Sequence, residues 1–170
     1  MRRIGEDAGI TAGSIFHHFP GGKRELYEAM LADITDTLMH QVIGRAAANA
    51  GLSATESIVR MLSTFWDYFE EHPDYATVIL LITTGMDQQF VAKLEHHRVA
   101  MVSMARQLLE AAQARGEVAL VDVDRFFLFS SSTMLMIHGA RAMPAFLLRD
   151  PDRSRLKDAY LADVRAMLEP

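Results

Sequence analysis

The sequence of 170 residues predicts an all-α protein, and three features carry that reading. Apolar residues recur at helical spacing over most of the chain, as in Ile58, Met61, Leu62, Phe65, Trp66 and Phe69. No stretch alternates apolar and polar residues with period two, and no Asn-Gly or Asp-Gly hairpin signal occurs. The prolines at 20, 73, 144, 151 and 170 punctuate the periodic segments rather than interrupt them.

The elements follow in order. Arg2 to Ala8 forms a short helix that stops at Gly9, a residue suited to the left-handed turn after a helix. Ile10 plugs the turn with an apolar side chain, and Thr11 caps a second short helix, Ala12 to His18. Pro20-Gly21-Gly22 breaks the chain before a long helix from Lys23 to about Ala48. Ser53 caps the next helix, with Ser53 and Glu56 spaced as a capping box, and His72-Pro73 ends it. Asp74 to about Thr84 is a short apolar helix closed by Gly85. A long helix runs from Asp87 to Arg115 and stops at Gly116.

Asp122 or Asp124 starts a helix that reaches Met143 and is apolar on nearly every side, so other helices or a second subunit must cover it. Pro151 opens the last helix, with Leu156, Tyr160, Val164 and Leu168 in a stripe. No repeat or low-complexity tract is present.

Composition bounds the function. Half of the residues are hydrophobic and 23% are charged, which suits a globular protein. Cysteine is absent, so there is no disulfide framework, thiolate nucleophile or Cys-based zinc site, in keeping with a cytoplasmic location. The N-terminus lacks the apolar core of a signal peptide, and the longest apolar runs, Val78–Ile82 and Phe126–Phe129, are too short to span a bilayer. A net charge of −5 means that any nucleic-acid binding must come from a local patch.

No catalytic constellation stands out, so an enzyme is not expected, nor a cofactor. His96 and His97 with His40 or His138 lack the spacing of a metal site. The segment Pro20–Glu25 fails as a phosphate loop, because His17 stands at the first glycine position and Arg24 at the Ser/Thr position. Ser130-Ser131-Ser132 reads as small residues at a helix crossing.

Helix, glycine turn and second helix make the helix-turn-helix pattern, whose second helix presents its side chains to the DNA major groove. Gly13, without a Cβ, lets that helix approach another backbone or the first helix closely. The start of the long helix at Gly22-Lys23 offers backbone N–H groups and an ammonium to a phosphate.

The segment from Ile4 to Met30 resembles the DNA-binding signature of the TetR family of transcriptional regulators. Ile4, Ala8, Gly9, Ile10, Thr11, Gly13, Ser14, Ile15, Phe16, His18, Phe19, Lys23 and Leu26 occupy matching positions. The resemblance implies that Thr11, Ala12, Ser14 and His17 face bases or phosphates, while Phe16, His18 and Lys23 fix the register on the DNA backbone. It implies a homodimer through the last two helices, which gives two half-sites on a double-stranded operator, and a small-molecule effector enclosed by the middle helices. Candidate pocket residues are Phe65, Trp66, Phe69, Met101, Met104, Phe127, Met134 and His138, for any one of which a plain core role is the commoner outcome. The implied function is a ligand-responsive regulator, a repressor released from its operator by the effector.

Two departures stand out. The family usually has tyrosine where this chain has Phe16, and the missing hydroxyl is worth about 1 kcal/mol as one hydrogen bond. The family's first helix has no room before Met1, so the head reads as truncated, with Ile4, Ala8, Ile10, Ile15 and Phe19 expected to be poorly covered. An internal methionine start and trimming are favoured over a real loss of DNA binding. The alternative is a dimeric small-molecule-binding protein that no longer binds DNA. The expected domains are 1–31, a partial DNA-binding head, and 32–170, for effector binding and dimerisation.

Overall fold

The computed structural model describes residues 1–46, 51–85, 102–103, 106–119, 121–140 and 152–170. Among these, every regular element is a helix and no strand occurs, so the all-α expectation holds. The chain divides into two units, Met1–Thr37 and Leu38–Pro170.

In the first unit α1 spans Arg2–Ala8 and α2 spans Ala12–His18, and the two pack on each other. Gly9 terminates α1 at φ 69°, and its N–H donates to the Glu6 carbonyl. Only a residue without a Cβ adopts that left-handed conformation without strain. Thr11 then caps α2, its Oγ1 accepting from the Ser14 N–H at 3.0 Å. Both expectations for this turn are met. The unit also contains the start of α3, Lys23–Ala46. Residues 47 and 48, the expected end of that helix, lie outside the described residues.

The second unit is built on α4 (Ala54–Glu71), α5 (Pro73–Gly85), α6 (106–114), α7 (Val123–Gly139) and α8 (Arg153–Leu168). α4 packs on α8, α5 on α7, and α4 also touches α5 and α7. One face of α4 is buried through Ile58, Val59, Leu62, Phe65, Trp66, Tyr68 and Phe69. Fully burying one large apolar side chain is worth roughly 1.5–3 kcal/mol, so this face is the main apolar anchor of the unit. Tyr160, Val164 and Leu168 are buried on α8, as the stripe predicted, and Leu156 is half-buried.

Several local expectations need refining. Ser53 Oγ accepts from the Glu56 N–H at 3.2 Å, but the Glu56 carboxylate turns away to take Arg165 Nε at 2.9 Å. Half of the capping box is therefore traded for an ion pair between α4 and α8. A second pair, Lys157 Nζ to Asp67 at 2.6 Å, joins the opposite ends of the same helices, which run antiparallel. Of the two aspartates expected to start α7, Asp122 is the cap, accepting from the Arg125 N–H at 3.0 Å, whereas Asp124 pairs with Arg106. Asp152 caps α8 through the N–H groups of Ser154 and Arg155.

α7 stops at Gly139, short of the Met143 expected from sequence; residues 141–150 lie outside the described residues. A Cβ on Gly139 would stand 2.7 Å from the Ala76 carbonyl oxygen, so the α5 and α7 backbones meet there. Thr77 Oγ1 donates to the Gly139 carbonyl at 3.0 Å and satisfies it outside the helix. The expected helix from Asp87 to Arg115 falls mostly outside the described residues, but 106–114 is helical and Gly116, at φ 70°, follows it as the expected stop.

Candidate nucleic-acid interface

The first unit holds the candidate interface. Gly5 makes the crossing of α1 and α2 possible, since a Cβ there would lie 2.6 Å from the Ile10 carbonyl oxygen and 3.3 Å from the Ala12 nitrogen. Ile15 Cδ1 packs over the same glycine, and Ile15 is buried. The close approach between the helices thus belongs to Gly5, not to Gly13. A Cβ on Gly13 would meet only Thr11 Oγ1, at 3.7 Å, which is ordinary contact. Gly13 is exposed, so its bare Cα faces away from α1.

Around Gly13 stand the side chains expected to meet DNA. Thr11, Phe16, His17, His18 and Lys23 are exposed, and Ala12 and Ser14 are half-buried. Phe16 is 49% exposed, a large apolar surface in the middle of a seven-residue helix. The expectation of poor cover divides: Ile4, Ala8 and Ile10 are exposed, Phe19 is half-buried, and Ile15 is buried because Gly5 lets it in.

Between α2 and α3, Gly22 turns at φ 74° and its N–H donates to the Phe19 carbonyl at 2.9 Å. The Glu25 carboxylate folds back to accept from the Gly21 N–H at 2.6 Å. The start of α3 therefore carries an anion of its own beside Lys23, which sequence reasoning missed. Its signal was present, an acidic residue in the first turn of a helix. Arg2 and Arg24 are likewise held on their own helices, to Glu6 at 2.9 Å and Glu28 at 3.2 Å.

A second cluster lies in the second unit and takes up part of the expected pocket set. Trp66, Phe69 and His138 come together from α4 and α7: the His138 ring stands edge-on to Trp66, centroids 4.6 Å apart, and 5.9 Å from Phe69. All three are buried, as are Phe65 and Met134. Phe127 lies three turns earlier on α7, beneath the Arg106 guanidinium at 5.8 Å, and is not part of the ring cluster. Met101 and Met104 lie outside the described residues.

Glu70 and Tyr160 also belong to this neighbourhood; the sequence did not single out Glu70, and marked Tyr160 only as part of the α8 stripe. Glu70 Oε1 is 3.7 Å from His138 Nδ1, too long for a hydrogen bond and an ion pair only when the ring is protonated. Tyr160 tilts against Trp66 at 5.4 Å and donates its hydroxyl to the Ser130 carbonyl at 3.2 Å. Burial pushes the Tyr160 phenol up from its ordinary value. Ser130 is buried at this contact while Ser131 and Ser132 are exposed, so the helix-crossing reading fits the first serine alone. Among the described residues no cluster of His, Asp or Glu is placed to hold a metal ion, and no helix is long and apolar enough to cross a membrane.

A capped second helix packed on a short glycine-stopped helix makes a helix-turn-helix motif. Residues 1–30 match the family described as bacterial regulatory proteins, tetR family. No curated protein sequence matches the chain. Among solved structures, a bacterial regulatory protein in the tetR family from Rhodococcus RHA1 is similar in fold, with a TM-score of 0.70. That likeness covers 99% of this chain and 85% of the other at 16% identity, and so speaks for the fold alone. The resemblance read from Ile4–Met30 is borne out, and the chain has the all-α TetR fold.

Proposed function

We propose that the chain is a DNA-binding transcriptional regulator whose operator binding responds to a small molecule. The observation that carries the reading is the reading helix itself, with Thr11, Phe16, His17, His18 and Lys23 exposed around the bare Gly13. Thr11, Ala12, Ser14 and His17 meet bases or phosphates in this reading, and Phe16, His18 and Lys23 set the register. Two copies pair through α7 and α8, where Leu128 and Phe129 offer exposed apolar surface, and present two reading helices to two half-sites.

The effector belongs to the second unit, near Phe65, Trp66, Phe69, Met134 and His138, and it acts by favouring one arrangement of the dimer over another. α3 runs from the first unit into the second, and is the lever in this scheme. Repression relieved by the effector is the mode proposed; the protein acts in the cytoplasm and not as an enzyme.

The test is fluorescence anisotropy of the protein on DNA from its own promoter, titrated across salt. Site-specific binding that weakens with salt supports the reading, and Lys23→Ala then lowers the salt slope by about one phosphate contact. Binding no tighter than to unrelated DNA removes the mechanism. The second reading, a dimeric small-molecule-binding protein without DNA binding, is favoured by one observation. Residues 1–37 carry six Asp and Glu against four Lys and Arg, the wrong sign for a polyanion.

A further inference from the structure

The charge on the first unit poses a problem that its geometry resolves. Of its four basic side chains, Arg2 and Arg24 are paired to Glu6 and Glu28 on their own helices, and the Glu25 carboxylate sits at the start of α3 beside Lys23. The reading helix Ala12–His18 has no lysine, arginine or acid. Its ionisable side chains are His17 and His18, both exposed and both in its last turn. Histidine is the side chain that changes charge between about pH 5 and pH 8. The positive charge that this helix offers to a phosphate is therefore set by pH.

We propose that DNA binding by this chain is proton-linked, with His17 and His18 taking up protons as the helix engages DNA phosphates. The inference rests on the regulator reading above and adds how that site is regulated. The two rings stand edge to face with centroids 5.4 Å apart. Two positive charges that close repel, and a polyanion beside both rings offsets that repulsion.

The charged and titratable groups on the neighbouring elements are Arg2, Arg3, Glu6 and Asp7 on α1, and Lys23, Arg24, Glu25, Tyr27 and Glu28 at the start of α3, with Asp33, Asp36, His40 and Arg45 further along its sequence. Among the described residues no carboxylate pairs with either imidazole. The last turn of a helix also favours a cation. Taking up both protons offsets the excess of two acids in residues 1–37.

The experiment is the same anisotropy titration at pH 7.5, 6.8 and 6.0, each across a salt series, on wild type, the double variant His17→Gln/His18→Gln, and His40→Gln. We expect wild-type affinity to rise about tenfold from pH 7.5 to pH 6.0, with the salt slope steeper by about one to two contacts. The double variant should show neither change, and His40→Gln should keep both. Both variants alter exposed side chains, and circular dichroism at each pH verifies that they are folded. Specific binding at pH 7.5 that fails to tighten on acidification overturns this inference and leaves the regulator reading standing. So does a pH dependence that survives in the double variant. No specific binding at any of the three pH values overturns both.

Discussion

Gly5 and Gly13 differ in what a side chain would meet. Gly5→Ala drives a methyl group against the backbone at Ile10 and Ala12, and should destabilise the protein by about 1–3 kcal/mol in urea unfolding followed by circular dichroism. Gly13→Ala meets nothing closer than Thr11 Oγ1 at 3.7 Å, and a helix-interior glycine replaced by alanine gains up to about 1 kcal/mol. That substitution should leave stability equal or higher while weakening DNA binding, because the methyl group stands on the exposed side of the reading helix. A Gly13→Ala protein that binds DNA as tightly as wild type would mean that no DNA backbone comes close there. Thr11→Ala removes the cap bond to Ser14 and should cost about 1 kcal/mol in the same unfolding assay.

At the scale of elements, the Glu56–Arg165 ion pair between α4 and α8 gives the fold a pH dependence of known sign. The Glu56 carboxyl is held below the usual carboxylate range chiefly by its hydrogen bond from Arg165, which outweighs the opposing effect of burial, with the charges of Arg165 and Arg60 adding less. Its contribution is whole above the carboxylate's unfolded value and is lost as pH falls through the lower, folded one. Arg165→Met should therefore flatten the acid side of the stability curve, read as urea midpoints from pH 7 to pH 3. Tyr160 acts at the other end. Burial raises its folded value, so its contribution is present below the unfolded phenol's value and is lost as pH rises above it. Tyr160→Phe should flatten the alkaline side, while costing about 1 kcal/mol at neutral pH for the hydrogen bond to Ser130.

These helices also mark what was legible in the sequence. Gly9, Thr11, Ser53 and Gly116 announced their turns and caps because each meets a purely local demand, a left-handed φ or an orphan N–H. The stripe Tyr160, Val164, Leu168 was legible because one-sided burial imposes a period. The partner of Glu56 was not, since Arg165 lies 109 residues away and competes with a local bond of similar strength. The acceptor role of the Gly139 carbonyl at the end of α7 escaped for the same reason, because its donor, Thr77, is on another helix. In the ring cluster, Trp66 and His138 were readable as apolar-face residues, but that Glu70 and Tyr160 join them depends on how α4, α7 and α8 pack.

For the molecule as a whole, the exposed apolar surface on α7 tests the proposed assembly. Leu128 is 70% exposed, so Leu128→Glu removes little from the monomer's core. If copies pair through α7 and α8, this variant should sediment as a monomer at concentrations where wild type is a dimer, with its helical content unchanged. Operator affinity should fall with it, because a single reading helix reaches one half-site. A variant that remains dimeric would move the interface off this face.

Trp66 is the chain's sole tryptophan, and it packs against the rings of His138 and Tyr160. Excited beyond the tyrosine absorption band, the protein therefore emits from this one side chain, and it lies inside the cluster where the effector is proposed to act. Its emission reads the second unit without contribution from residues 1–37. A dye on the DNA reads the first. Two colours in one cuvette can thus follow effector binding and operator release side by side, and the order in which the signals move gives the direction in which the message travels.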